Sequence, residues 1–406
     1  MQDDYDIIII GAGMVGASLA LSLQDQPLRI GLIEAVPFSN SPQSYDARTT
    51  ALSYGTRRIF EGMRLWDDLV AKLTPIKKIH VSDQGHFGFT HLDAAEHDIE
   101  AFGYVVENAD LGKLFADTLA TLANVELLCP ARVEDLIVDA AQAKVSIDRG
   151  EAGKQTLTAR LVVLADGKKS AVRERLGIET RQEQYGQSAI MVNITPKHSH
   201  RDVAYERFTR NGPLAFLPMS ENRCAVIWTQ RDEQLDATMQ LDDAAFLMAL
   251  QENFGWRLGR LEKVGKRHVY PLSSMRSQEL VRPRLALIGN AAHTLHPIAG
   301  QGFNLGLRDV AVFAQVLVDA LKAGRDPGDI SVLNEYAKRR QRDQRIVSTL
   351  TNSLVRLFST DFSPLVPARN AGMVVADLIP PFKSALVRQG MGLVGWQPRL
   401  ARGLRL

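Results

Sequence analysis

Cysteine is nearly missing from this chain. Only Cys129 and Cys224 occur in 406 residues, and neither has a ligand-like spacing to the other or to histidine. That excludes a disulfide framework and a cysteine-based metal cluster, and the expectation is two buried thiols in a reducing compartment. Also absent is any run approaching the roughly 20 apolar residues that a membrane-spanning helix needs. No sign of charge dominates: 48 Lys and Arg stand against 46 Asp and Glu, a net charge of +2. Such a balance gives no electrostatic reason to expect a nucleic-acid partner. The opening "MQDDYD" is acidic and runs straight into an apolar strand, unlike a secretory leader. The chain is therefore expected to be cytoplasmic. Its 45% hydrophobic and 23% charged content suits a globular enzyme, and its length allows two or three domains.

What is present begins at once. "YDIIIIGAGMVGASLALSL" reads as a buried strand, a G-x-G-x-x-G turn and a closely packed helix, and "RIGLIE" follows as a second strand ending at Glu34. In a dinucleotide-binding βαβ unit each part has a task. Gly11 permits the tight turn, Gly13 lets a pyrophosphate approach the backbone beside Met14, and Gly16 lets helix and strand pack closely. Free N–H groups at the helix start attract phosphate, and Glu34 can accept hydrogen bonds from a ribose. An acidic residue there favours NAD or FAD, and the motif alone does not choose between them.

A nicotinamide dehydrogenase would continue as one doubly wound sheet. Here the pattern breaks after Glu34 into a polar loop and helix, hairpin-like strands in "IKKIHVSDQGHFGFTHL", a helix in "LGKLFADTLATLA" and further strands. The second half of the nucleotide sheet arrives late. "RLVVLADGKKSAVRERLG" runs a strand into Asp166-Gly167, which by itself could be only a turn. "LALIGNAAHTLHPIAGQGFN" then sets Gly289-Asn290 after a strand and Gly300-Gln301-Gly302 at a helix start. That connection is longer and richer in special backbone positions than a simple connector needs.

These three stretches, in this order and at these separations, resemble the FAD-dependent aromatic hydroxylases of the para-hydroxybenzoate hydroxylase type. The resemblance implies that the first glycines bind the ADP half of FAD. Asp166 and Gly167 would lie by the pyrophosphate, with a link to nicotinamide binding. Gly289, Asn290, Pro297, Gly300, Gln301, Gly302 and Asn304 would span the ribityl chain and flavin ring. Pro297 and the Gly300–Gly302 backbone would line the ring's face, with no side-chain base assigned. Where the family usually has Gly-Asp, this chain has Gly289-Asn290; an amide oxygen can still accept a ribityl hydrogen bond, but a charge beside the flavin is lost. By resemblance also, Arg48 in "YDARTTAL" and Asn108 would contact FAD, and Val133 would offer backbone to adenine. A surface ion pair is the alternative for Arg48.

"ARTTALS", "HVSDQGHFGF", "YERFTRNGPLAFLPMS" and "GNAAHTLHPIAGQGFNLGLRDV" narrow the resemblance to the ubiquinone-biosynthesis branch of these enzymes. It implies hydroxylation of a polyprenylated phenol, first of all a 2-polyprenyl-6-methoxyphenol, by O2 through a flavin C4a-hydroperoxide, with NAD(P)H as electron donor. It also implies a place in a multi-enzyme biosynthetic complex. Open alternatives are a sister hydroxylase acting at another ring position, one acting on a soluble aromatic, and a non-catalytic FAD-bearing scaffold.

The expected fold is α/β, a Rossmann-type FAD-binding domain with an inserted antiparallel β-sheet substrate domain and a helical C-terminal region. Residues 1–72, 106–180 and 276–325 form the FAD-binding domain; 73–105 and 181–275 form the substrate domain. Residues 326–406 form C-terminal helices and a basic tail. No metal is expected: His293 and His296 have no carboxylate nearby in sequence, and His86, His91 and His97 read as solvated loop histidines. The basic cluster of "LNEYAKRRQRDQR" reads as a solvated helix face. The final stretch from Pro381 carries five basic residues and no acidic one. It reads either as a tail packed on the body or as a peripheral contact with an anionic membrane or a partner protein.

Overall fold

The computed structural model describes residues 3–37, 48–294, 301–358, 370–372, 375 and 377–406. The roles expected of Pro297, Gly300 and His296 fall outside them. The strand Tyr5–Ile10 is apolar on both faces, and Ile7, Ile8 and Ile9 are wholly buried. That pattern belongs to the middle of a parallel sheet covered on both sides. Ile30–Ile33 and Lys154–Leu164 flank it in parallel, with Val125–Leu128 and Leu285–Leu287 outside them. A hairpin, Arg132–Val138 with Ala143–Asp148, adds antiparallel to the first half of Lys154–Leu164. The helices Met14–Ser22 and Gln301–Lys322 cross at small residues: a Cβ on Gly306 would lie 2.9 Å from Val15 Cγ2.

The second sheet has nine strands among the described residues. Its order is His293–Thr294, His268–Ser277, Thr180–Pro196, Cys224–Arg231, Gly212–Pro218, Val203–Thr209, Lys78–Asp83 and Phe89–Asp93, with Leu261–Val264 beside Thr180–Pro196. Antiparallel pairing was expected throughout. Val203–Thr209 runs parallel to Lys78–Asp83 instead, because those strands come from separate stretches of chain and share no hairpin. One face packs on the helix Asp243–Phe254, whose start is capped by the Asp242 side chain accepting from Ala245 N. Phe246, Leu250 and Phe254 from that helix meet Phe216, Val226 and Trp228 in a closed core. The other face looks toward the parallel sheet.

The stretch 73–105 does not behave as one hairpin. Lys78–Asp83 and Phe89–Asp93 pair as a hairpin and join the nine-stranded sheet, whereas Gly103–Glu107 lies between Thr49–Ser53 and Thr74–Ile76 in a separate three-stranded sheet. The histidines there differ as well. His91 is exposed, but its Nε2 lies 2.5 Å from Nδ1 of buried His80, and His97 is half-buried against Phe102.

The helix Ile330–Phe358 corrects a second expectation. Lys338, Arg339 and Arg342 are exposed, but Arg340 is buried and bonds Asp309. Neighbours in a helix face different ways, so a basic run is not one surface. The helix Pro380–Gly390 ends at a turn, and the tail packs back, with Leu400 and Ala401 buried against the helix Tyr54–Gly62. Trp396 stays about half exposed beneath the Arg339 guanidinium. No helix among the described residues is long and apolar enough to cross a membrane.

Candidate cofactor and substrate site

Gly11 ends the first strand at φ +99°, where a Cβ would come within 2.7 Å of Ala165 O. Only glycine lets two parallel strands finish side by side in that conformation. A Cβ on Gly16 would sit 1.8 Å from Gly11 O, so the helix rests directly on the turn. Gly13 differs: nothing lies within 4 Å of where its Cβ would be, and the same holds at Gly167 and Gly302. All three open onto one cavity of about 970 Å³ between the two large sheets. Bare backbone faces it from all three stretches.

Glu34 stands at the end of the second strand and braces the turn, accepting from Ala12 N at 2.8 Å and Val36 N at 3.0 Å. Its carboxylate lines the cavity with acceptor capacity left for a ribose. Asp166 Oδ2 accepts from Ser170 Oγ at 2.8 Å, while Oδ1 is buried without a partner among the described residues. Burial raises this carboxyl above the usual range. An orphaned acceptor on a cavity wall suits a ligand hydroxyl.

Arg132, Lys168, Lys169 and Arg175 also line the cavity. They went unrecognised in the sequence, although "DGKKSAVRER" places three of them beside Asp166. Four cations suit a diphosphate. Val133 lines the cavity too, and Arg175 Nη2 donates to its carbonyl at 3.1 Å, which leaves that oxygen a second lone pair.

In the third stretch, Asn290 lines the cavity with an exposed side chain. Gly289 lies behind it, buried at φ +57°, and its N–H donates to Asp309 Oδ2 at 3.0 Å. Gln301 opens the helix Gln301–Lys322, and Gly302 and Phe303 reach the cavity from its first turn. Free N–H groups there can stabilise negative charge by about 0.3–1 kcal/mol.

Asn304 is placed otherwise than expected. It is buried, its Oδ1 accepts from Ser53 N (2.9 Å) and Thr56 Oγ1 (2.7 Å), and its Nδ2 donates to Ala51 O (2.9 Å). The side chain fastens the helix start to the segment Ala51–Thr56 and does not line the cavity. Asn108 also stands back. It accepts from Thr50 Oγ1 at 2.6 Å, and Thr49, Thr50 and Ala51 form the wall. Arg48 is exposed, and its guanidinium donates to the hydroxyl of Tyr270, a lining residue, at 3.3 Å.

His293 has a carboxylate after all. Its Nε2 is 2.6 Å from Asp309 Oδ2, and both residues are buried. Asp309 lies sixteen residues on in sequence, within a helix, which hid the pairing from a reading of local spacing. Burial by itself would raise the Asp309 carboxyl, but His293 and Arg340 outweigh it and hold the group well below the usual carboxylate range.

The nine-stranded sheet closes the other side. Strand alternation turns Ala189, Met191, Ala215, Leu217 and Ile227 toward the cavity, together with Glu206. Around Glu206 this wall is apolar; Tyr270, Ser273 and Thr294 line it farther along, in the strands His268–Ser277 and His293–Thr294. A planar group held against the glycine backbone would leave a second, largely dry chamber beneath the sheet, as chemistry sensitive to water requires. The open positions at Gly13, Gly167 and Gly302, the orphaned Asp166 oxygen and the four cations fit a flavin dinucleotide.

The comparisons with known proteins agree. Residues 4–349 match the family model described as "FAD binding domain". The chain is 38% identical to the ubiquinone hydroxylase UbiL of Rhodospirillum rubrum, over 99% of this chain and 93% of that protein. It is 31% identical to the 3-demethoxyubiquinol 3-hydroxylase of Escherichia coli, over 96% and 98%. In fold it resembles the p-nitrophenol 4-monooxygenase PnpA of Pseudomonas putida, with a TM-score of 0.80 at 20% identity over 96% of this chain and 99% of that one. The protein is a FAD-dependent aromatic monooxygenase, of a family for which O2 and NAD(P)H use is typical. The chain belongs to the FAD-binding-domain family, among the FAD-dependent hydroxylases of ubiquinone biosynthesis.

Proposed function

We propose that this enzyme hydroxylates the ring of a 2-polyprenyl-6-methoxyphenol. The observation that carries the reading is one cavity with two unlike walls: glycine backbone and cations on one side, and an apolar sheet face bearing a single acid on the other. FAD, when bound, supplies the oxygen-activating redox chemistry. The residues bind and shield it. Gly11, Gly13, Met14 and Glu34 take the ADP half, with Arg132, Lys168, Lys169 and Arg175 offsetting phosphate charge. Asp166 and Gly167 lie by the pyrophosphate, Asn290 accepts from a ribityl hydroxyl, and Gly302 sits at the ring with Gln301. Asn304, Asn108, Gly289 and Gly16 hold these positions from behind.

The substrate ring lies beneath Met191, Leu217 and Ile227, and the prenyl tail runs out along the apolar face. Burying it contributes about 0.8 kcal/mol per CH₂ against water, but little against a bilayer, which is equally apolar. The donor membrane would be met from its cytoplasmic side by the tail, where Phe382 and Leu386 are exposed beside Arg388, within or without a multi-enzyme assembly. Flotation with anionic vesicles tests that contact.

The choice of ring position rests on the sequence resemblance. It is tested by O2 uptake of the FAD-loaded protein with 2-prenyl-6-methoxyphenols bearing one, two and four prenyl units, with the product carbon assigned by NMR. Turnover should rise with tail length in detergent-free solution. Equal turnover of a tailless methoxyphenol replaces this reading with a soluble aromatic substrate. Oxygen entering another carbon replaces it with a sister reaction.

A further inference from the structure

Glu206 is the one acid on the apolar wall of the cavity. It lies in the strand Val203–Thr209, between Val81 on one neighbouring strand and Ala215 on the other. Beyond Ala215 the same face continues through Ile227 and Met191. Among the described residues its carboxyl has neither hydrogen bond nor ion pair. The nearest residues in its own strand, Tyr205 and Arg207, turn to the opposite face, where Tyr205 packs on Phe254. A carboxyl facing a cavity among aliphatic side chains costs folding free energy without return, which is the usual mark of a group kept for a ligand.

We propose that Glu206 receives the phenolic hydroxyl of the substrate and accepts its proton. The proposal rests on the prenylphenol reading above. In the step, the phenol O–H bond breaks, an O–H bond forms on a Glu206 oxygen, and the electron pair stays on the phenol oxygen. The pair carries one negative charge before and after. Electron density is thereby released into the ring that must take up oxygen.

Burial pushes the Glu206 carboxyl from 4.5 up to about 7, with no opposing charge near enough to undo it. A phenol titrates near 10. The shift makes the carboxylate a better match to the proton of a phenol than an ordinary glutamate is. The same apolar surroundings strengthen a hydrogen bond to the ionised carboxylate.

The test uses the FAD-loaded protein and two probes, 2-geranyl-6-methoxyphenol and its O-methyl ether, which has the same shape but no proton to give. Affinities are read from the flavin absorbance change at pH 8. Wild type should prefer the phenol about tenfold. Glu206→Leu, which leaves no acceptor oxygen, should lose that preference while still binding the ether, with unchanged FAD content. A second readout needs no variant: phenol bound to wild type should show an absorption band shifted to the red of the same phenol in buffer. A preference kept in Glu206→Leu, or an unshifted band in wild type, overturns the role of Glu206 and leaves the substrate reading intact. Failure of wild type to bind either probe overturns both.

Discussion

Asp309 Oδ2 lies 2.6 Å from His293 Nε2 and also accepts from Gly289 N, so the helix Gln301–Lys322, to which Asp309 belongs, is tied to the end of the strand Leu285–Leu287 and the turn after it. Asp309 Oδ1 accepts from Arg340 Nε at 2.7 Å and Gln344 Nε2 at 3.0 Å. One carboxylate thus holds Gly289, His293, Arg340 and Gln344 about a single buried point.

Asp309→Ala should therefore cost about 3–5 kcal/mol, because Arg340 is left buried and uncompensated, and FAD should be retained less well. Replacing Asp309 and Arg340 together by apolar residues should cost less than the sum of the single changes. Denaturant unfolding of the three variants, with flavin release on dilution, checks both statements. Strict additivity would mean that the ion pair is not coupled.

Gly13 and Gly16 should separate binding from folding. At Gly13 an added side chain meets only cavity, so Gly13→Val should fold with a stability change under about 1 kcal/mol and bind no FAD. At Gly16 the added Cβ would overlap Gly11 O, and even Gly16→Ala should cost about 1–3 kcal/mol or more. Circular dichroism of the apoproteins beside FAD titration distinguishes the outcomes. A yellow Gly13→Val protein would place the pyrophosphate elsewhere.

Asn290→Asp should keep FAD, since both side chains offer an acceptor oxygen. Added negative charge beside the ring opposes reduction, and about 1.4 kcal/mol of repulsion corresponds to about 30 mV for a two-electron couple. The midpoint potential should fall by roughly that amount. An unchanged or higher potential would set Asn290 away from the flavin.

Glu206 should make stability depend on pH. Its folded value of about 7 exceeds the reference 4.5, so the folded state holds the proton more tightly than the unfolded chain. The contribution is fully present below about pH 4.5 and is lost as pH rises through 7. Relative to Glu206→Gln, wild type should lose up to about 3 kcal/mol between pH 4.5 and 8. Urea unfolding at several pH values measures this, and a constant gap would mean that the carboxylate is well solvated in the cavity.

Much of the cofactor half was readable because its signals are local. Gly11, Gly13, Gly16 and Glu34 lie within one βαβ unit, and Asp166 follows a strand whose burial its own composition announces. Asn304 was readable as polar at a helix start, but not as the fastening of Ser53 and Thr56, some 250 residues earlier. Arg340 vanished into a basic run because exposure depends on which turn of the helix meets Asp309. Glu206 was the hardest: which face a strand residue takes depends on register with Val81 and Ala215, and a shift of one residue reverses it.

The alternation of the nine-stranded sheet has a practical consequence for anyone wishing to redirect this catalyst. Phe216 and Trp228 hold the sheet to its helix, while their neighbours in sequence Ala215, Leu217 and Ile227, with Met191 paired to Ile227, line the cavity. Mutant libraries confined to those four positions and Ala189 would reshape the chamber for other phenols without disturbing the glycine backbone opposite. Product scope and flavin affinity are therefore separable engineering variables, adjustable on opposite walls of the same room.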